Sequence, residues 1–574
     1  MVVTAVTFVA WLVLAVVLVI GWPRINAQRS WRFAALGLTL LLSLFHQLVY
    51  ATVAGDAYVT FRYARNLADG HGPVYNIGEY VEGYANFLWM LLVAVPGTVS
   101  DDPGVIVATG VVLGVASALG CVLLAYTLTN RIVRLAQPGG PGLPGLGVLA
   151  AALTAAASSL AAYGASGVEA PLFVLLTLTL CLALTSGRAV VAGVTVALAV
   201  MTRPEALVFA VVGLAWFVVE AVRGRRAGTA AVAYLAGAAV LLVPWTVWRL
   251  TVYEHLLPNL VVSRWNGSWS NRLASGWDYV GGFALAYQAF VALAVVAIAL
   301  LLTRRGLPPS VLRARSVMWL LVALAVGHVA AVLVSGGGLM PVWRLLSPVP
   351  VLLAVLGTAA YGLFVVTSPA KTAPASSADP DPDGENGREP LVRRRTVPVV
   401  AMVLCGLSLV VTVVHPRALP AMDELRTSAN QLAEIGRWFH TSLPPGTVIS
   451  THNTGALAYE AGPAIVVVDV FGRTDEHIAR EGTPMEMATR GVYVARDFDY
   501  VVNERAPAVA IDDTGFTTSQ QCGINPAYAG LYEVASFRRE GTPYWVSVYV
   551  RRVAATHLIQ LLDRHSAFTY VSCL

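Results

Sequence analysis

The chain has 574 residues, of which 57% are hydrophobic and only 12% are charged, and its formal net charge is +5. Soluble domains carry about 25% charged residues, so this composition excludes an ordinary water-soluble protein and indicates that lipid is the main solvent. The small net charge gives no support to a nucleic-acid-binding surface, and no nucleic-acid partner is expected.

Apolar windows recur along the chain, and a bilayer about 30 Å thick requires roughly 20 apolar residues for each helical crossing. We predict about twelve spans, near residues 3–21, 33–53, 104–128, 147–163, 170–187, 189–202, 205–221, 229–250, 277–303, 317–335, 343–367 and 397–414. The first window has no basic segment before it, which favours a retained helix over a cleaved signal peptide. The expected fold class is mostly α, a polytopic transmembrane helix bundle.

Arginine collects in every second predicted loop, and cytoplasmic loops are the ones enriched in arginine and lysine. The clusters are Arg24, Arg29 and Arg32; Arg131 and Arg134; Arg223, Arg225 and Arg226; Arg304, Arg305, Arg313 and Arg315; and Arg393, Arg394 and Arg395. This alternation predicts that the loop beginning at Asp56 and the residues after 414 face outward. We therefore expect a multi-pass protein of the plasma membrane.

The composition changes towards the C-terminus. Residues 368–396 are rich in Pro, Ala, Asp and Gly and are predicted to form a disordered cytoplasmic linker, followed by the last transmembrane helix at 397–414. Residues 415–574 are predicted to form an extracytoplasmic α/β domain, with strands at "TVIST", "AIVVVDV" and "AVAID" and a hairpin of "LYEVASFRR" with "YWVSVYVRR". Acceptor binding and a role as lid and scaffold are both open for this domain.

The five cysteines fall into two groups. Cys121, Cys181 and Cys405 lie inside predicted spans, where they are expected to pack as small apolar residues. Cys522 and Cys573 belong to the domain predicted to be outside the cytoplasm, where oxidation is permitted, so we expect a disulfide between them. The cysteine and histidine spacings indicate no metal site.

A polar and aromatic loop follows the second predicted span, beginning "AGDAYVTFRYARNLADGHGPVYNIGEYVEGYANFLW". Each of its features has an ordinary explanation: Asp56 as a helix N-cap with Gly70 as the stop, the arginines as solvated interface residues, and the aromatic residues as a membrane belt. A loop of about 50 residues that is this dense in polar groups is more typical of a functional segment than of a connector.

Further polar residues lie at the predicted outer ends of other spans. "SGVEAPLF" contributes Glu169, "MTRPEAL" contributes Arg203 and Glu205, "YEHLLPNLVVSRWNG" contributes His255, Asn259 and Arg264, and "GGGLMPVWRLLSP" contributes Arg344. Ionisable groups at membrane depth cost several kcal/mol unless they line a wet cavity. Their convergence predicts a site at the outer face that opens sideways to lipid.

Five motifs in this order, "GDAYVTFRYARNLADGHGPVYNIGEYVEGYANFLW", "SGVEAPLF", "TRPEAL", "LPN" and "GGGLMPVWRLL", resemble the polytopic GT-C superfamily of bacterial glycosyltransferases. The group includes the AftB-type arabinofuranosyltransferases, which use polyprenyl-phosphate sugar donors. The resemblance continues into the C-terminal domain through "IGRWFHTSLPPGTVISTHNTGALAYEAG". It implies a GT-C transmembrane catalytic domain over residues 1–367.

The resemblance also implies an inverting transfer, with arabinofuranose as the expected sugar and a cell-envelope glycan or glycoconjugate as the acceptor. Enzymes of this group carry an acidic general base in the first outer loop, and Asp56 occupies that place. A carboxylate suits the task because the acceptor hydroxyl loses its proton as it attacks the anomeric carbon. The leaving phosphate favours nearby arginines, which leads us to expect Arg62, Arg65, Arg203 and Arg344 as its ligands.

Other residues of these loops are expected to bind substrate: His71, Tyr75, Asn76, Glu79, Glu82, Tyr84, Asn86, Trp89, Glu169, Glu205, His255, Asn259 and Arg264. The chain departs from the group at two places, because Gly55 stands where a second acidic residue is usual and Gly338 stands where an acidic or polar residue is common. These departures put a metal-assisted mechanism in doubt, so no cofactor is expected, and a requirement for a divalent metal stays open without support from the sequence. They also leave a reduced or lost activity open.

Two other functions stay as alternatives. A transporter or flippase for a lipid-linked sugar also has many spans and buried charge, although the sequence shows neither the internal repeats nor the interrupted helices that are typical of transporters. A catalytically inactive relative that binds lipid or glycan would keep the polar loops without turnover.

Overall fold

The structure, a computed structural model, describes residues 2–139, 142–265, 267–303, 307–367, 395–487, 492–512, 515–565 and 567–573. The helices of its first 414 residues are α1 (Val2–Ile20), α2 (Trp22–Ala27), α3 (Arg29–Val49), α4 (Gly55–Ala68), α5 (Phe87–Ala94), α6 (Gly104–Ala136), α7 (Pro144–Ala155), α8 (Ser158–Gly164), α9 (Ala170–Ser186), α10 (Ala189–Thr202), α11 (Leu207–Val222), α12 (Thr229–Tyr253), α13 (Asn259–Trp265), α14 (Trp269–Ala286), α15 (Gln288–Thr303), α16 (Pro309–Val334), α17 (Pro348–Thr367) and α18 (Thr396–Val414). Nearly all of the predicted linker lies outside the described residues.

Many of these helices have the length and composition of membrane spans. Within the described ranges, eight helices are long and apolar enough to cross a membrane, and the number rises to ten if each of two bent helix pairs is one span. The shorter apolar helices α9 and α10 lie where two further spans were predicted. The protein is therefore a multi-pass membrane protein, as predicted, while the total of about twelve spans stays a prediction.

Two predicted spans are broken rather than continuous, so the expectation of uninterrupted helices, which was one argument against a transporter, is wrong. The span predicted at 147–163 is split between α7 and α8, which meet at 64°, and the span predicted at 277–303 is split between α14 and α15, which meet at 88°. The two breaks contact each other, because Ser159 at the start of α8 donates its backbone N–H to the hydroxyl of Tyr287, which separates α14 from α15, at 2.6 Å. Interrupted backbone inside a membrane protein requires such internal partners, since lipid offers none.

The two ends of the bundle differ in charge. At one end Arg131 donates to the carbonyl of Thr185 at 3.2 Å and Arg226 donates to that of Leu184 at 3.1 Å, so the ends of α6, α9 and α11 meet there. The opposite end holds Asp56 and carries the C-terminal domain. This separation of arginine-rich loops from Asp56 is the pattern expected for the two sides of a membrane.

The C-terminal domain contains helices α19 (Leu419–Ser442), α20 (Ala456–Ala461), α21 (Glu476–Glu481) and α22 (Ala555–Asp563) and strands β1 (Val448–Thr451), β2 (Val466–Asp469), β3 (Thr483–Glu486), β4 (Tyr493–Arg496), β5 (Val509–Ile511), β6 (Tyr532–Arg539), β7 (Trp545–Arg551) and β8 (Phe568–Val571). Six strands form one sheet in the order β2-β1-β5-β7-β6-β8, and β3 pairs with β4. The predicted strands and the predicted hairpin are all present.

The sheet is parallel in one half and antiparallel in the other. Strand β1 pairs in parallel with both β2 and β5, whereas β7 is antiparallel to β5 and β6 is antiparallel to β7 and β8. The carboxyl ends of β1 and β2 therefore lie at one edge. At the end of the chain, a disulfide joins Cys522 to Cys573 with a Cα–Cα distance of 5.6 Å.

Candidate functional site

Asp56 lies in the first turn of α4, at the end of the bundle that carries the C-terminal domain. The helix begins at Gly55 and its N-cap residue is Ala54, whose backbone N–H donates to the carbonyl of Ser166 at 3.0 Å. Asp56 is therefore not the N-cap, and the interpretation that explained it in this way is wrong. Its carboxylate is half exposed, at 52% of the side chain, and accepts a hydrogen bond from Arg344 at 3.4 Å.

Arg344 connects Asp56 to a second, buried carboxylate. It lies at the start of the segment that leads into α17, directly after Trp343, a non-glycine residue in the left-handed region at φ +50°. Its Nη2 atom donates to both oxygens of Glu169 at 2.9 Å. Only 4% of the Glu169 side chain is exposed, so this carboxylate is enclosed by its partners.

The network continues from Glu169 to Arg203 and Glu205. Arg203, at the end of α10, donates to Glu169 at 3.0 Å and to Glu205 at 3.0 and 3.3 Å. Asn86 donates to the other oxygen of Glu169 at 3.1 Å. The site thus joins the ends of α4, α5, α9 and α10 to the segments that lead into α11 and α17, and the sequence motifs that predicted convergence at one face do meet there.

The charges of this network identify which carboxylate is available for chemistry. Burial alone would raise the pKa of Glu169. The charges of the neighbouring Arg344 and Arg203 guanidinium groups have a larger, opposite effect and hold this pKa below its usual value. Glu169 is therefore ionised and fully engaged. Arg203 is neutralised between two carboxylates, so Asp56, whose side chain is 52% exposed, is the carboxylate of the network that is accessible from outside.

Arg264 in α13 is an arginine without a fixed partner. Within the described residues its guanidinium makes no hydrogen bond or ion pair, and its electrostatic neighbours are Glu205, Asp56, Arg203 and Arg344. Burial lowers its pKa, yet an arginine stays charged near neutral pH because its usual pKa lies far above 7. A charged donor beside Asp56 with no internal acceptor is suited to an anionic ligand.

Arg62 has a different position from the one predicted for a phosphate ligand. It is only 2% exposed, and its guanidinium donates to the carbonyls of Tyr75 at 2.8 Å, Gly462 at 3.1 Å, Ile465 at 2.7 Å and Ala458. Three of these carbonyls belong to the C-terminal domain. Arg62 therefore holds that domain on the first loop and has no free donor for a lipid phosphate.

Arg65 also lies apart from the network. Its side chain is 3.8 Å from the carboxylate of Asp69 and packs over the ring of Tyr459. The structure thus brings together Arg203 and Arg344, two of the four predicted phosphate ligands, and adds Arg264.

The aromatic residues expected to stack on substrate are packed inside the protein. Tyr75 donates to the carbonyl of Thr454 at 2.6 Å, and the Trp89 indole donates to Gly167 at 2.9 Å. The hydroxyl of Tyr84 is 3.0 Å from that of Tyr253. Buried tyrosine and tryptophan require partners for their polar atoms, and here the protein supplies them. These rings frame the loop and are not exposed to a ligand.

The acidic and amide residues of the returning segment order it. Glu82 forms a two-contact ion pair with Arg249, at 2.9 and 2.6 Å. Glu79 accepts from Arg505 of the C-terminal domain at 2.7 Å and from Asn76 at 2.9 Å. These contacts fix the loop between α12 and the C-terminal domain.

Three other predicted ligands lie outside the Asp56 network. His71 is exposed, and His255 is hydrogen-bonded to Glu476 of the C-terminal domain. Asn259 is buried, its backbone N–H donates to the carbonyl of Glu82 at 3.1 Å, and its amide Nδ2 has no partner within the described residues.

None of the catalytic or ligand-binding residues predicted from the sequence lies in the C-terminal domain, yet two loops of that domain reach Asp56. A Cβ atom on Gly455 would lie 2.2 Å from the carbonyl of Gly55, and Arg473 has Asp56 among its electrostatic neighbours. The sequence could have predicted a role for these two loops. Both follow strands that pair in parallel, and ligands of parallel sheets lie at the carboxyl ends of the strands.

The helical bundle with its sheet-containing C-terminal domain defines a membrane protein of the GT-C fold. The chain is similar to ArnT from Cupriavidus metallidurans bound to undecaprenyl phosphate, with a TM-score of 0.54, 13% identity and coverage of 91% of this chain and 98% of that chain. The apo state of the same ArnT gives a TM-score of 0.54, 15% identity and the same coverage.

A third similar structure is the archaeal oligosaccharyltransferase AglB from Archaeoglobus fulgidus, in complex with an inhibitory peptide and a dolichol-phosphate. It has a TM-score of 0.51 and 11% identity, and the match covers 91% of this chain and 74% of that chain. At these identities the likenesses show a shared fold. A family described as "Domain of unknown function (DUF8728)" matches residues 422–549, within the C-terminal domain. No curated protein matches the sequence.

Proposed function

We propose that the protein is a membrane glycosyltransferase that transfers a sugar from a polyprenyl-phosphate donor to a glycan or glycoconjugate of the cell envelope. The observation that carries the proposal is the position of Asp56, a half-exposed carboxylate next to Arg344 and Arg264 at one end of a GT-C bundle. The fold adds support, because the similar ArnT structure holds undecaprenyl phosphate and the similar AglB structure holds a dolichol-phosphate.

The proposed reaction is a single displacement. The oxygen of an acceptor hydroxyl forms a bond to the anomeric carbon, and its proton passes to the Asp56 carboxylate. The bond between the anomeric carbon and the phosphate oxygen breaks, and polyprenyl phosphate leaves with the electron pair and one more negative charge. Attack opposite the leaving group inverts the anomeric configuration.

The arginines of the site would stabilise the charge that develops on the leaving phosphate. Arg264 has no internal acceptor among the described residues. Arg344 is paired with Asp56 and Glu169, but its Nε–H has no partner in the described part of the chain, so both arginines keep a donor for phosphate oxygens. Arg203 has a positioning role in this proposal, since it is held by Glu169 and Glu205. Glu169 is a poor candidate for the base because two arginines already occupy it.

For the donor we propose decaprenyl-phosphoryl-arabinofuranose first and the corresponding mannose lipid second, on the strength of the sequence motifs. Both are anionic and carry a lipid tail, so they would enter sideways from the bilayer. Nucleotide sugars are not expected to serve, because they are cytosolic and the arginine pattern supports a position of Asp56 on the opposite side of the membrane.

The extracytoplasmic location of Asp56 and of the C-terminal domain is part of the proposal. Support comes from the contacts that keep the domain and the Asp56 loop at the same end of the bundle, opposite the Arg131 and Arg226 end. Reporter fusions at His415 and Asp381 should give opposite signals. Equal signals would contradict this orientation.

One experiment separates this function from the alternatives. Purified protein in proteoliposomes is given a radiolabelled polyprenyl-phosphate sugar and a glycan acceptor, and transfer, translocation and binding are measured separately. We expect transfer. Translocation without transfer would indicate a flippase, binding alone would indicate an inactive relative, and transfer from a nucleotide sugar would contradict the proposed donor.

A further inference from the structure

Two loops of the C-terminal domain meet at the carboxyl ends of β1 and β2. The first covers residues 452–455 and the second covers residues 470–475; together we call them the strand-end loops. Both loops are pressed against the Asp56 loop. The carbonyl of Thr454 accepts from Tyr75 at 2.6 Å, and a Cβ atom on Gly83 would lie 2.7 Å from the carbonyl of Arg473.

A buried carboxylate gives the strand-end loops a defined shape. Asp469 is fully buried at the end of β2 and accepts from the backbone N–H groups of Phe471 at 3.1 Å and Thr474 at 3.1 Å. It also accepts from Arg473 at 3.4 Å, and Arg473 in turn donates to the carbonyl of His452 in the neighbouring loop. Arg473 therefore links the two loops, and its charge is balanced by Asp469.

The strand-end loops present two partly exposed rings. The centroids of His452 and Phe471 are 5.3 Å apart, with an interplanar angle of 35°, so the rings form a continuous surface. Burial and the neighbouring Arg473 lower the pKa of His452, which keeps the imidazole neutral near pH 7. Arg473 is paired to Asp469, and Asp475, the other charged residue of the two loops, is buried 4.0 Å from Arg505, so the charges around the rings are balanced.

We propose that the His452 and Phe471 rings of the strand-end loops form the acceptor subsite and bind a neutral sugar unit of the glycan acceptor. Aromatic faces with a few polar groups beside them are typical of sites for small polar ligands, and the lack of net charge favours an uncharged sugar over an anionic lipid. The loop containing His452 ends at Gly455, which abuts Gly55, so a sugar on the rings would lie next to Asp56. This inference rests on the proposed function and adds the substrate class that the C-terminal domain recognises.

The test is a kinetic comparison of full-length variants in proteoliposomes. The donor is decaprenyl-phosphoryl-arabinofuranose, and the acceptors are octyl-linked neutral arabinofuranose oligosaccharides. Phe471→Ala is expected to raise the acceptor KM about five- to tenfold, the range expected for a lost ring contact, with the donor KM unchanged. His452→Ala should have the same effect, and His452→Phe, which keeps a ring, should recover most of it.

Phe498→Ala is the matched control, because Phe498 is a partly buried ring of the same domain that packs on Tyr528 and not at the strand-end loops. An acceptor KM for Phe471→Ala within twofold of that control would overturn the subsite, as would an equal rise in the donor KM. Binding of decaprenyl phosphate by each variant, followed as a shift in thermal stability, shows whether it is folded. If the wild-type protein transfers no sugar to any acceptor, the proposed function fails and the inference fails with it.

Discussion

Asp56 differs from the other carboxylates of its network because its side chain is half exposed, whereas Glu169 is enclosed by Arg344 and Arg203. We expect Asp56→Asn to lower turnover by about 10²–10⁴, the usual range for a lost general base. Folding should be unaffected, because Asp56 makes no capping bond and its one hydrogen bond is long. Steady-state turnover and thermal stability of the purified variant check both parts.

Asp69→Asn is the control for this substitution, because Asp69 lies just after α4 and its carboxylate pairs with Arg65 and with no member of the Asp56 network among the described residues. It should keep normal turnover. A well-folded Asp56→Asn protein with near-normal turnover would remove Asp56 from the role of base.

Arg264 is the cation whose removal should affect the donor most selectively. Arg264→Gln removes a guanidinium that has no ion-pair partner among the described residues, so thermal stability should change little. The donor KM should rise about 10- to 100-fold, which corresponds to the loss of one hydrogen bond to a charged group. The acceptor KM should stay within twofold of the wild-type value.

Arg65→Gln is the matched control, since Arg65 lies on α4 and contacts Asp69 and Tyr459 instead of the network. An unchanged donor KM in the Arg264→Gln protein, or an equal effect of Arg65→Gln, would contradict the assignment of Arg264 to the phosphate.

At the scale of helices, the two broken spans are stabilised by one hydroxyl group. Tyr287, between α14 and α15, accepts a hydrogen bond from the backbone N–H of Ser159 at 2.6 Å. Tyr287→Phe leaves this buried N–H without a partner, and such a loss typically costs about 1–3 kcal/mol. We expect a lower midpoint of thermal unfolding in detergent.

Tyr126→Phe provides the comparison, because Tyr126 lies on α6 and its hydroxyl makes no hydrogen bond within the described part of the chain. Its midpoint should be unchanged. Equal midpoints for Tyr287→Phe and the wild-type protein would show that the contact between the two breaks does not stabilise the bundle.

At the scale of the whole molecule, the disulfide reports the compartment of the C-terminal domain. Cys522 and Cys573 are 51 residues apart in sequence, and their bond should stabilise the domain by about 2–4 kcal/mol through restriction of the unfolded chain. Mass spectrometry of unreduced protein from cells should find this pair joined and the buried Cys121, Cys181 and Cys405 as free thiols. Complete alkylation of Cys522 and Cys573 without reduction would contradict an oxidising location.

The sequence predicted those features that depend on local patterns. Apolar length identified the spans, arginine spacing separated the two ends of the bundle, and short motifs located Asp56, Glu169, Arg203 and Arg344. The breaks at Ser159 and Tyr287 were not predictable, because both windows are continuously apolar and the break depends on a hydrogen bond between segments 128 residues apart.

The roles of the arginines were not predictable for the same reason, because they depend on contacts between segments that are far apart in the sequence. Arg62 and Arg264 both lie in segments that mix polar and aromatic residues, and nothing in their sequence neighbours separates a structural role from a ligand-binding one. Arg62 has its partners in residues 458–465, and Arg264 has no internal partner at all within the described ranges. Only the tertiary fold distinguishes them.

The contacts of Arg62 also set the stage of protein synthesis at which the Asp56 loop can take its final conformation. Its three acceptors in the C-terminal domain are 396, 400 and 403 residues further along the chain. When Arg62 leaves the ribosome, the carbonyls that will enclose it do not yet exist, because residues 458–465 are made much later. The Asp56 loop can therefore reach the arrangement seen in the structure only after synthesis has passed Ile465.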